Sequence, residues 1–173
     1  MSLFQEIFEA PDAASTSGKA DQFDLDAAGS LTNIVQPDYP RNVVLTITDA
    51  NASLTALQVT VTGTLATGET SQTEVFTATA AGSHAGSKAF AHIDSITVDS
   101  VTGGTSDDKL DVGYGKVFGL GNDIDADSDI IKVNDSNDDD GVSNQTIDTT
   151  YNTIEFQNDP NASRDYIVWY ATD

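Results

Sequence analysis

Residues 57–62 read Leu57-Gln58-Val59-Thr60-Val61-Thr62, apolar and polar side chains in strict alternation. A period of two places Leu57, Val59 and Val61 on one face of an extended chain and the polar partners on the other, the pattern of a half-buried strand. Working outward, Val43-Val44-Leu45-Thr46-Ile47-Thr48 carries the same alternation, and Thr73–Thr79, residues 88–98 and residues 110–118 continue the series. Weaker runs follow at 129–133, 143–149 and 152–157. The last run, Asp165–Ala171, is apolar on both faces, with Tyr166, Val168 and Tyr170 on one side and Ile167 and Trp169 on the other, which predicts a central or interface strand. Turn-forming residues separate the runs at 49–52, 63–68, 82–86 and 103–104, and no helical periodicity extends over ten residues. The expected fold is all-β: an antiparallel sandwich or jelly-roll-like barrel, formed as a single domain over residues 31–173.

Residues 1–30 have a different character. Leu3 with Ile7 and Phe4 with Phe8 fall at i,i+4 spacing, which predicts a one-turn amphipathic peg. The segment that follows is Ala, Ser, Gly and Asp, with only Phe23 and Leu25 to bury. The expectation is an extended N-terminal arm with an adhesive tip, with a disordered tail as the alternative. Leu3, Phe4, Ile7 and Phe8, together with Trp169 and Tyr170 of the terminal strand, are the candidate interaction residues.

Charge is the most unusual bulk property, since 28 acidic residues against 7 basic ones give a net charge of −21 across 173 residues. Self-repulsion of this size opposes compaction unless salt or bound cations screen it. The acid is mostly Asp and Lys is scarce, a bias like that of proteins from halophilic microbes or their viruses, with an ordinary acidic bacterial surface as the alternative. Five Lys and two Arg scattered along the chain argue against direct nucleic-acid binding and against an anionic membrane surface. Without cysteine there is no disulfide, thiol catalysis or thiolate metal site. No basic stretch followed by an apolar one opens the sequence and no apolar run has transmembrane length, so the chain is expected to be made and used without Sec export.

Little in the sequence suggests catalysis. The two histidines are His84, in an expected Gly-Ser-His-Ala-Gly turn open to solvent, and His92, on the less buried face of a strand, and neither has a nucleophile at a telling spacing. Gly113-Tyr-Gly-Lys-Val-Phe-Gly is one residue too long for a dinucleotide fingerprint and follows no βαβ unit, so these glycines are expected to mark bulges or close backbone approach. The chain therefore reads as a non-enzyme. One constellation stands out, an acidic insertion at 122–142. Asp123, Asp125, Asp127 and Asp129 alternate, and Asp135, Asn137, Asp138 and Asp140 follow, a supply of oxygen ligands suited to Ca²⁺ or another hard cation. It is not an EF-hand, because counting from Gly141 puts Ser136 at the first loop position and Ile147 where a bidentate Glu should sit. A hydrated loop that gathers cations diffusely is the competing expectation.

A set of motifs within the strands carries a resemblance: Pro40-Arg-Asn-Val43, Val59-Thr-Val-Thr-Gly-Thr64, Thr73-Glu-Val-Phe-Thr77, Gly86-Ser-Lys-Ala-Phe90 leading to Ile93-Asp-Ser-Ile-Thr-Val98, Asp111-Val-Gly-Tyr-Gly-Lys116 with Phe118-Gly-Leu120, and Arg164-Asp-Tyr-Ile-Val-Trp-Tyr170. Over about residues 37–121 and 160–173 the chain resembles a family of small β-rich head-associated structural proteins of tailed viruses of bacteria and archaea. The resemblance implies a capsid decoration, or cement, protein that binds the major capsid protein on the outer surface of the head, assembled in the host cytoplasm and located in the virion. Symmetric capsid sites make a homotrimer the expected assembly, ahead of a pentamer or hexamer. A turret, tail or fibre component is the alternative within the virion, and a calcium-dependent cell-surface adhesin or carbohydrate-binding module is the alternative from another class.

Overall fold

The computed structural model describes residues 1–135 and 145–172. The chain is all-β, with strands β1 (Ser2–Phe8), β2 (Phe23–Asp24), β3 (Gly29–Ser30), β4 (Arg41–Thr48), β5 (Ala56–Leu65), β6 (Gln72–Ala78), β7 (Gly82–Thr102), β8 (Lys109–Gly119), β9 (Ile130–Asp135), β10 (Thr146–Asp148), β11 (Thr153–Glu155) and β12 (Tyr166–Thr172). Among the described residues the only helical element is a 3-10 turn at Asp127–Asp129. The larger sheet runs β10-β11-β8-β4-β7-β5-β6, with β2 added to β8 and β3 to β7, and it curls into an open half-barrel. The smaller sheet is β1-β12-β9, and β12 is its central strand, as its two apolar faces require. All pairings are antiparallel.

Alternation produces the first core. Leu57, Val59 and Val61 of β5, Val43, Leu45 and Ile47 of β4, and Ile93, Ile96 and Val98 of β7 all turn into the curl and are buried. Each such side chain contributes about 1.5–3 kcal/mol on leaving water. β7 is long because its first part pairs with β4 and its later part with β5, with register shifts that bend it from one neighbour to the other. The segment 82–86, expected as a turn, is the start of this strand: Ala85, His84, Ser83 and Gly82 pair with Val44, Leu45, Thr46 and Ile47. The two glycines at 82 and 86 mimic turn chemistry, but β4 offers an edge to pair with, and pairing wins.

The second core lies under the smaller sheet and is rich in aromatic rings. Phe8, Phe118, Phe156, Tyr166 and Tyr170 are buried there with Leu120, Ile124, Ile130, Val133, Ile154 and Val168. Phe156 stacks on Tyr166 with ring centroids 4.1 Å apart, and Phe118 packs against Phe8 at 5.1 Å and Phe156 at 5.4 Å. Because β8 runs from the first core at Leu110 to the second at Phe118, it is the beam that joins the two.

The N-terminal segment corrects one expectation. Residues 2–8 form a strand, not a helical peg: their register with β12 runs from Ser2–Thr172 to Phe8–Tyr166 without a shift. The i,i+4 spacing of Leu3/Ile7 and Phe4/Phe8 also satisfies a period of two, and a partner strand settles the choice. The rest of the expected arm lies along the chain's own β8. Ser15 N–H donates to the Tyr114 carbonyl at 2.8 Å, Lys19 N–H to that of Val112 at 2.9 Å and Leu25 N–H to that of Asp108 at 3.0 Å. Its approach needs Gly113, where a Cβ would come within 2.0 Å of the Ser15 carbonyl oxygen.

Candidate functional site

The candidate interaction residues are brought together on the smaller sheet, but on both of its faces. Opposed residues in an antiparallel pair share a face, so Leu3 with Ala171, Gln5 with Trp169 and Lys132, and Ile7 with Ile167 and Asn134 point outward. Phe4, Phe8 and Tyr170 point inward, where Phe4 stacks on Tyr170 at 5.7 Å. Leu3 and Ile7 are exposed at 69% and 45%, and Ile131 of β9, on the far side of β12 from them, at 54%. Lys132 holds its ammonium over the Trp169 ring, 5.5 Å from the centroid. The outcome is an outer face of Leu, Ile and Trp, above an inner face already committed to the aromatic core.

Glu6 is the one carboxylate on β1, and it turns inward. Its Oε2 accepts hydrogen bonds from Gly121 N–H at 3.1 Å and from the Tyr170 hydroxyl at 3.2 Å. Burial raises its pKa above the ordinary glutamate value, partly offset by these two donors. Glu74, on β6, is raised for the same leading reason, offset by the backbone N–H groups of Ser87 and Lys88 and by the Lys88 charge. Asp108 is different. Burial acts to raise it, but hydrogen bonds from Ala50 N–H, the Thr105 hydroxyl and Thr105 N–H, with the Lys109 charge, outweigh that and hold it below the usual aspartate value.

The acidic insertion alternates in three dimensions as well as in sequence. Ile124, Ile130 and Val133 are buried in the aromatic core, while Asp123, Asp125 and Asp127 are exposed. Asp123 accepts from the Asn152 side chain at 2.7 Å, and Asp129 Oδ2 accepts from the N–H groups of Asp125 and Ala126, bracing the 3-10 turn. Asp135 is buried against Arg164, at 3.1 Å from Nε, and accepts from the Asn158 side chain. Among the described residues no three His, Asp or Glu side chains are grouped to hold a metal ion. Asn137, Asp138 and Asp140 lie outside the described residues.

His84 corrects another expectation, for it is half-buried and its Nε2 has no hydrogen-bond partner, against a small apolar hollow lined by Leu45, Ile47, Val59 and Phe76. Its strand position opposite Leu45 puts it there. His92 is exposed, 3.2 Å from Asp94. Sequence reasoning missed a polar basin of about 370 Å³ between the β5–β6 connection, β7 and the 123–125 and 149–152 loops. Its walls include Glu69, Gln72, Lys88, Asp123, Tyr151 and Asn152, with the Lys88 ammonium 5.8 Å from the centre of the Tyr151 ring. These residues come from distant segments, so no local motif announces them. Comparison of the chain with protein-family models, curated proteins and solved structures finds no match.

Proposed function

We propose that the chain is a non-catalytic structural protein of a tailed-virus head, bound to the outer surface of the major capsid shell as a decoration or cement subunit. The observation that carries this reading is where the virion-like motifs fall. Residues 40–43, 59–64, 73–77, 86–98, 111–120 and 164–170 fall chiefly on β4 to β8 and β12, the strands that supply most of the first core and, through Phe118, Tyr166, Val168 and Tyr170, part of the second. The resemblance thus follows the framework of the molecule and leaves out the acidic insertion. A surface charge of −21 with an apolar outer sheet face suits a protein that docks through one patch and keeps the rest in water. The test is to purify mature particles and identify their proteins. Presence in capsid-like copy number supports the proposal, a handful of copies points to a turret, tail or fibre component, and absence overturns it.

A second reading is favoured by the polar basin. Tyr151 beside planar amides and carboxylates is chemistry that also suits sugar hydroxyls, as in a carbohydrate-binding module or adhesin. Glycan binding lost in Tyr151→Ala, and lost again on adding a chelator, would favour it over the capsid reading.

A further inference from the structure

β1 is hydrogen-bonded along one side, to β12, and among the described residues no strand pairs with its other side. An open edge offers unpaired N–H and C=O groups to another chain, and proteins commonly blunt such edges with Lys, Pro or a bulge. Ser2–Phe8 contains no Lys, Arg or Pro and its register is unbroken; its one protective charge is the inward-pointing Glu6, whose carboxylate is taken up within its own subunit by Gly121 N–H and the Tyr170 hydroxyl. Its electrostatics matter as much. On a chain of charge −21, like-charge repulsion opposes contact between two copies over most of the surface. An exception is here, because Glu6 turns under the sheet and the paired outward residues are Leu3, Gln5, Ile7, Ile167, Trp169 and Lys132, with Ala171 and Asn134.

We propose that β1 pairs antiparallel with β1 of a second copy about a two-fold axis through Gln5, joining two three-stranded sheets into one of six strands. Spacing selects this register. Leu3 and Ile7 lie two residues to either side of Gln5, so each Leu3 faces the partner's Ile7 on the outer face, and both apolar contacts form at once. Moving the axis to Glu6 would set two carboxylates opposite each other and Leu3 opposite Glu9. Moving it to Phe4 would set Ile7 opposite Met1 and Leu3 opposite Gln5. Only the Gln5 register is apolar against apolar on the outside and free of a facing acid pair. The pairing is two-fold, unlike the three-fold assembly expected of a capsid site, and it would hold whether or not the chain belongs to a virion. Two copies each of −21 repel at long range, so association strengthens as salt shortens the screening length.

The absence of cysteine provides a clean test on the full chain. Directly opposed residues of an antiparallel pair have Cα atoms about 4.5–5.5 Å apart, inside the span a disulfide bridges. Gln5→Cys is therefore expected to oxidise to a covalent dimer at least about tenfold faster than Ile7→Cys, whose two copies lie far apart in this register. The parent chain is expected to sediment as a dimer in molar KCl, and Leu3→Lys/Ile7→Lys, altered only at exposed positions, as a folded monomer. Equal cross-linking of the two cysteine variants, a monomeric parent in molar salt, or a trimer would each overturn the proposal.

Discussion

The core inside the curled sheet is mostly aliphatic and is supplied largely by strands that follow one another in the chain, whereas the core beneath the small sheet is built around five aromatic rings and gathers Phe8 from one end of the chain and Tyr166 and Tyr170 from the other. Val59 and Val61 find their neighbours through the β5–β6 hairpin, with short sequence separation. Phe8 meets Phe118 and Phe156 only after most of the chain is in place. The difference teaches that the two cores solve separate problems. Local alternation builds the half-barrel, and large rings spanning long separations lock the ends onto it. Contacts of the second kind cost more closure entropy before they stabilise anything, so they should form late and open early.

The largest expected effect comes from the residue at which β8 enters the second core. Phe118 is fully buried, touches Phe8, Phe156 and Tyr166, and lies 4.9 Å beneath the Arg41 guanidinium. Phe118→Ala should cost about 3–5 kcal/mol in urea unfolding. Hydrogen exchange should then show β1 and β12 amides losing protection while those of β5 and β7 keep theirs. Equal loss across all four strands would break the comparison by making the molecule one cooperative unit.

A smaller change sharpens it. The Tyr39 hydroxyl accepts from Glu9 N–H at 2.9 Å and donates to the Glu9 carbonyl at 3.0 Å, pinning the chain just after β1, while its ring packs edge-on against Phe8. Tyr39→Phe keeps the ring and should cost about 1 kcal/mol, confined to β1 protection. No change there would show that the rings alone hold the strand.

The smallest effect is in pH. Glu6 and Glu74 are raised in the folded state, so between neutral pH and their native pKa values the native protein begins to take up protons that the unfolded chain does not. Their stabilising share is complete below the ordinary value of 4.5 and is lost as pH rises through the raised native values. Asp108 runs the other way: its share is present above the ordinary 3.8 and is lost as pH falls through the depressed native value. Thermal melts should therefore show a stability maximum in weak acid. Glu6→Gln should flatten the rise toward that maximum without altering the acid collapse, and an unchanged profile would remove Glu6 from the account.

The half-barrel was legible because alternation needs only nearby residues: β4, β5, β6 and β8 lie where Leu45, Val59, Val75 and Val112 signal them, and β12 of the smaller sheet lies at the run around Val168 that is apolar on both faces. Two misreadings share one cause. The short window around Phe4 and Phe8 fits a helix as well as a strand, and the glycines flanking His84 fit a turn as well as a strand start; in both cases a partner strand far away in sequence decided the matter. The acidic insertion was legible as alternation, but the partners that place Asp123 and Asp129, the Asn152 side chain and the backbone of the 3-10 turn, carry no signal in that alternation. The polar basin was illegible for the same reason, being built from four separated segments.

The pairing of Ser2 with Thr172 has a mechanical consequence. Anything joined ahead of Ser2 and anything joined after Thr172 would leave the molecule from the same point, at the same end of one antiparallel ladder. A load applied between them would not shear β1 along β12, which would strain every rung together. It would unzip the pair rung by rung from Ser2–Thr172 inward, at low force, until it reached Phe8–Tyr166 and the ring cluster behind it. Load applied across the sheet instead, through the open edge of β1, would be shared by all seven rungs.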